Sequence, residues 1–122
     1  MSELLYQAKA GDGFKMKVNR RNSFFNTPKE AVSEALAWKE KMDERYNNLI
    51  EWDYNGKMAG SVSKFKFLKG YLKGDRKSTP FYLQIVTVDN EKDELNAVSP
   101  KEPTTVSTKD KKMLNKVVKL LK

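Results

Sequence analysis

The chain opens on alternation. Leu4 to Ala10 runs into Gly11-Asp12-Gly13, after which Phe14, Met16 and Val18 fall on one face of an extended segment and Lys15 and Lys17 on the other. A period of two belongs to strands, whose side chains point alternately to the two faces of a sheet. These positions predict a β-hairpin with a basic outer face.

The period then changes. Thr27-Pro28-Lys29-Glu30 brings together a capping hydroxyl, a proline suited to the first helical position and a glutamate that completes a capping box. Behind it Val32, Ala35, Leu36, Trp38, Met42 and Tyr46 recur at three- and four-residue steps, one apolar stripe along a helix. Lys39, Glu40, Lys41, Asp43 and Glu44 lie mostly off the stripe with mixed signs, so the helix reads as a solvated support.

Asn47-Asn48 ends that helix. Leu49 to Tyr54 then meets Asn55-Gly56, a pair that tolerates the positive φ of tight hairpin turns, and predicts a second hairpin returning between Lys57 and Leu68. Gly60, Ser61 and Ser63 suit a bulge in the return strand, and Lys64-Phe65-Lys66-Phe67 alternates again. Gly70 to Pro80 reads as a polar, basic loop. Phe81 to Val88 is the most β-prone run and predicts a central strand.

Asp89 to Glu94 is acidic and turn-like, and Ser99-Pro100 to Pro103 predicts an extended linker over residues 98–107, because each proline disfavours helix before it. Ser107-Thr108-Lys109-Asp110 is an approximate cap for a last helix. Its apolar stripe is Met113, Leu114, Val117, Val118 and Leu121, opposite Lys109, Lys112, Lys116 and Lys119. The order β-β-α-β-β-β-α predicts one α+β domain over residues 1–122, with a largely antiparallel sheet and two helices packed on it.

Composition narrows the function. A chain of 122 residues, 39% hydrophobic, can close one core. Its 24 lysines and arginines against 16 acids give a net charge of +8, a field that attracts polyanions. The excess sits in residues 1–26, 61–88 and 101–122, whereas 27–60 and 89–100 are net acidic.

There is no cysteine and no histidine, which removes disulfides, thiolate zinc sites, the strongest common nucleophile and the commonest general base. The expectation is therefore a binding protein rather than an enzyme, with no cofactor and no metal. A chain without cysteine suits the cytoplasm, and neither a signal-type apolar run at Met1 to Tyr6 nor a membrane-length apolar stretch is present, so no membrane association is expected. A metal-dependent nuclease could draw on Asp89, Glu91, Lys92, Asp93 and Glu94, but these read more simply as a solvated turn, since metal ligands are usually gathered from separate rigid elements. Gly11-Asp12-Gly13 lacks the rest of a phosphate-binding loop and reads as a turn.

The block Lys64, Lys66, Lys69, Tyr71, Lys73, Arg76 and Lys77, with Phe65 and Phe67 among them, is the most informative. Cationic side chains answer phosphates and flat aromatic faces answer unstacked bases, so their interleaving suits nucleic acid, single strands above all. Phe65 and Phe67 have an alternative place inside the core, which leaves Tyr71 the better stacking candidate. Lys15, Lys17, Arg20 and Arg21 form a second basic site, and Lys109, Lys112 and Lys116 a third edge. The leading expectation is a small accessory or regulatory protein, of the kind a phage or mobile element encodes, that binds DNA or RNA without sequence preference. The rival is an interaction module that docks on an acidic host protein. The last helix lacks the aromatic anchors of a membrane-surface helix.

From Thr27 onward the predicted order α-β-β-β-α resembles that of a double-stranded-RNA-binding domain, and Lys109, Lys111, Lys112 and Lys116 resemble the lysines that open that family's second helix. The resemblance implies phosphate contacts across a groove that read shape rather than sequence. It is one of topology: the chain lacks a Gly-Pro-x-His loop between the first two strands, inserts an acidic, proline-containing segment before the last helix, and adds an N-terminal hairpin.

Overall fold

A computed structural model describes residues 4–11, 17–18, 24–54, 59–61, 64–77, 80–89 and 97–121, with the backbone alone at 17–18, 59–61 and 121. Helix α1 (Pro28–Arg45) begins where the capping signal lies. Thr27 Oγ1 accepts from the Glu30 N–H at 3.2 Å and donates to Glu30 Oε1 at 3.0 Å. Asn47 and Asn48, with φ of 56° and 60°, turn the chain out of the helix.

The strands are β1 (Leu4–Gly11), β2 (Lys17–Val18), β3 (Ile50–Asp53), β4 (Ala59–Ser61), β5 (Lys64–Leu72) and β6 (Phe81–Asp89), and helix α2 spans Thr108–Leu121. Their order in the sheet is β2-β1-β6-β5-β3, with β4 also on β5 and every strand pair antiparallel. The run Phe81 to Val88 is thus central, as its β-branched and aromatic content requires. The fold is α+β.

One face of the sheet carries the core. Ala8, Ala10, Phe67, Leu68, Phe81, Leu83 and Ile85 meet Ala31, Val32, Ala35, Leu36 and Met42 of α1, joined by Met113 and Val117 of α2. Helix α1 lies across β1 and β6, and α2 packs against α1. A register shift between Lys66 and Leu68 lets Phe67 and Leu68 both be buried, each 2% exposed. That bulge also returns Lys69 to the face of Lys64 and Lys66.

The hairpin expected at Asn55-Gly56 falls on residues 55–58, which, like 62–63, lie outside the described residues; of the flanking strands, β3 and β4 do not pair with each other but each with β5, at residues 69–72 and 64–66. A two-residue turn at Asn55-Gly56 would set Trp52 opposite Ala59. The observed register sets it opposite Gly70, where an added Cβ would lie 2.6 Å from Ile50 Cγ2 and 2.7 Å from Trp52 Cε3. Only glycine leaves that space to the indole. The expected loop from Gly70 is shorter, because β5 runs to Leu72 and the turn starts at Lys73 and Gly74, with φ of 54° and 73°.

The acids of α1 are not simply solvated. Glu34, 1% exposed, accepts the Lys101 N–H at 3.0 Å, and Glu40 accepts the N–H groups of Thr104 and Thr105 and the Thr104 hydroxyl. The extended linker over residues 98–107 is thus fastened across α1. Ser107 then caps α2, its Oγ accepting the Asp110 N–H at 3.1 Å.

The backbone N–H of Thr104, foremost among these donors, holds the Glu40 carboxyl below its ordinary value of 4.5. A carboxylate whose folded pKa is depressed contributes fully above its unfolded value and loses that contribution as pH falls through the folded one. Amide exchange at Thr104 and Thr105 is therefore expected to quicken as pH falls below 4.5, relative to intrinsic rates, and Glu40→Gln to remove this dependence. Unchanged protection through that window would contradict the assignment.

Candidate functional site

The face of the sheet opposite the core is built by register. Lys9 pairs with Gln84 and Gln84 with Lys66, Gln7 with Val86 and Val86 with Lys64, and Gly11 with Tyr82 and Tyr82 with Lys69. Directly paired residues share a face, so Lys9, Lys64, Lys66, Lys69 and Tyr82 lie together. Tyr71, two residues beyond Lys69 and opposite Glu51, joins them, and Lys73 follows at the strand end. Among the described residues neither helix covers this face, since both contribute to the core on the other side.

The aromatic rings here are already in contact with cations. Lys66 Nζ lies 4.8 Å from the centre of the Tyr82 ring, and the Arg76 guanidinium carbon 4.4 Å from that of Tyr71. Arg76 also pairs with Asp53 at 3.0 Å. With a side chain 64% exposed, this ion pair is well solvated and holds Arg76 in place more than it stabilises the fold. Tyr71 thus presents a stacked guanidinium and its second ring face rather than a bare platform. Phe67 is in the core and Phe65 packs against it, so of the aromatics in this block only Tyr71 reaches the open face.

The lysines of α2 lie round the edge of the sheet. Lys109, Lys112 and Lys116 line a cleft of about 530 Å³ with Met113, Arg76 and residues Glu51 to Tyr54 of the β3 edge. A buried polar network closes its inner end. Asp110, 7% exposed, accepts from the Tyr54 hydroxyl at 2.5 Å and from Lys39 Nζ at 3.4 Å. Lys39 is also 3.6 Å from Asp43, which accepts from Trp52 Nε1 at 2.8 Å. Burial first, and then the hydrogen bond to Asp110, push the Tyr54 phenol well above its ordinary value of 10, so it remains a neutral donor.

Of the residues expected from sequence, Lys64, Lys66, Lys69 and Tyr71 share the open face, and Lys73 is exposed in the turn that follows β5. Arg76 stands at its β3 edge and joins it to the cleft, while Lys77 is exposed just beyond the turn. Lys109, Lys112 and Lys116 belong to the cleft and not to that face. Lys15, Arg20 and Arg21 lie outside the described residues, and of Lys17 only the backbone is placed, opposite Gly11. Sequence reasoning missed Lys9 and Tyr82. Their alternation is present in the chain, but only the pairing of β1 with β6 and β6 with β5 places them beside Lys66 and Lys69.

Of the acidic run, Asp89 is exposed at the end of β6 and Glu91, Lys92, Asp93 and Glu94 lie outside the described residues. Among the described residues no three carboxylates are gathered as a metal would require, and no helix is long and apolar enough to cross a membrane. A scan of protein-family models, a search of curated proteins and a search of solved structures find no match to this chain. The resemblance to the double-stranded-RNA-binding domain therefore rests on element order, and the insertion of β1 beside β6 and the extra strand β4 depart from it.

Proposed function

We propose that this chain binds nucleic acid, DNA or RNA, through the face of its sheet opposite α1 and α2, in a sequence-tolerant, accessory role. The observation that carries the reading is the register that gathers Lys9, Lys64, Lys66 and Lys69 around Tyr71 and Tyr82 on one face of the sheet, which neither helix covers among the described residues. Lysine ammonium groups on flexible stems neutralise phosphates without demanding a fixed geometry, and each phosphate contact releases condensed counterions. Aromatic rings between them add stacking worth ~1–3 kcal/mol per base, available to any base. Strand residues two apart are ~7 Å from one another and neighbouring strands ~4.8 Å apart, so the surface is a two-dimensional lattice of charge and ring rather than a groove-filling helix. That geometry favours single strands, and the cytoplasm is the compartment in which a cysteine-free chain of this kind would act.

Fluorescence anisotropy with labelled single-stranded and double-stranded oligonucleotides tests the proposal. Affinity is expected to fall steeply and linearly on a log-log plot against salt, single strands being held more tightly. Retention at low salt no better than that of a neutral control protein would refute it.

A further inference from the structure

The cleft beside α2 has a feature that phosphate binding does not use. Among the described residues β3 ends the sheet, and one of its edges has no partner strand. The Lys73 N–H donates to the Leu49 carbonyl at 2.7 Å, which fixes the phase of the β3–β5 ladder: Glu51 with Tyr71 and Asp53 with Lys69 are hydrogen-bonding pairs. In an antiparallel ladder the residues between such pairs turn their N–H and C=O away from the partner. Those of Trp52 therefore face outward, on the side of the cleft that Glu51 to Tyr54 line. Such an edge is a template for another strand.

The opposite wall supplies the charge. Lys109, Lys112 and Lys116 follow one another along α2 at three- and four-residue steps, ~4.5 and ~6 Å along the axis. Alternate side chains of an extended chain are ~7 Å apart, so acidic residues at every second position of an added strand would meet these ammonium groups in turn. Met113, Trp52 and Tyr54 supply the apolar part of the lining. The β3 acids Glu51 and Asp53 also line the cleft, Asp53 paired with Arg76, so they select for neutral side chains at the positions of an added strand that meet them.

The rings of the cleft are poorly placed for bases. Lys39 Nζ lies 5.5 Å from the Trp52 ring centre and 5.9 Å from that of Tyr54, and Lys109 Nζ lies 5.7 Å from Tyr54. We propose that the cleft between β3 and α2 is a second site, which takes an extended acidic segment of a partner protein as an added strand. It is independent of the open face and of whether that face binds nucleic acid.

The probe is a labelled hexapeptide alternating glutamate with valine, with two controls: one carrying proline at its centre, which lacks the N–H an added strand must donate, and one with lysine for glutamate. Saturable binding is expected, with at least a tenfold loss for each control and for the double variant Lys112→Glu/Lys116→Glu. That variant, altered only at exposed positions, is expected to keep the unfolding midpoint of the parent. If the proline peptide binds as well as the parent peptide, charge alone is responsible and the strand-addition proposal fails. It fails too if an oligonucleotide displaces the peptide from a protein whose sheet-face lysines have been reversed, since nucleic acid would then own the cleft.

Discussion

Reversing Lys64, Lys66 and Lys69 to glutamate is expected to weaken oligonucleotide binding by on the order of a hundredfold or more at low salt, and to reduce the slope of log affinity against log salt by about two to three. The slope follows from ~0.7 counterion released per phosphate contact on a single strand and ~0.9 on a duplex. Lys64 is exposed and Lys66 and Lys69 half-buried. The contact of Lys66 with Tyr82 is the cation–π kind worth ~0.5–1 kcal/mol at exposed sites, so the unfolding midpoint is expected to shift by only a few degrees. Anisotropy titrations over a salt series, with a thermal melt of the same sample, read both quantities. An affinity and slope equal to the parent's would remove the open face from the account.

Asp110→Ala is expected to be the most destabilising polar substitution in the chain, at about 3 kcal/mol. The carboxylate is 7% exposed and serves Tyr54 and Lys39 at once. Its loss leaves the Tyr54 hydroxyl without its acceptor and a largely buried ammonium with Asp43 as its remaining ion pair. Removing one partner of a buried pair costs ~3–5 kcal/mol, and the remaining Asp43 contact places this case at the lower end. Asp110→Asn retains an acceptor for Tyr54 and is expected to cost less. Denaturant unfolding checks the order. Equal stability of the alanine variant and the parent would mean that α2 is held by Met113 and Val117 alone.

Local chemistry made much of this fold readable. Thr27 and Glu30 announced α1, Ser107 and Asp110 the start of α2, and the β-branched run at Phe81 the central strand, because each signal is contained within a few neighbouring residues. The alternation at Lys64 to Phe67 correctly divided lysines from phenylalanines. The strand partner of Leu49 to Tyr54 was not legible, because the pairing of Trp52 with Gly70 joins residues far apart in sequence. Glu34 and Glu40 looked like surface acids since their backbone partners at Lys101, Thr104 and Thr105 arrive from a distant segment. The site was legible in its residue types but not in its grouping. Nothing local joins Lys9 to Lys66, or Arg76 to Lys112, until the strand order is known.

Backbone amide shifts of the labelled protein, followed during titration with a short single-stranded oligonucleotide, test the central assignment most directly. Salt-sensitive, saturable perturbations are expected at Lys9, Lys64, Lys66, Lys69, Tyr71 and Tyr82, with the amides of α1 little moved. Perturbations centred on α1 or confined to the α2 cleft, with those six residues unaffected, would contradict it.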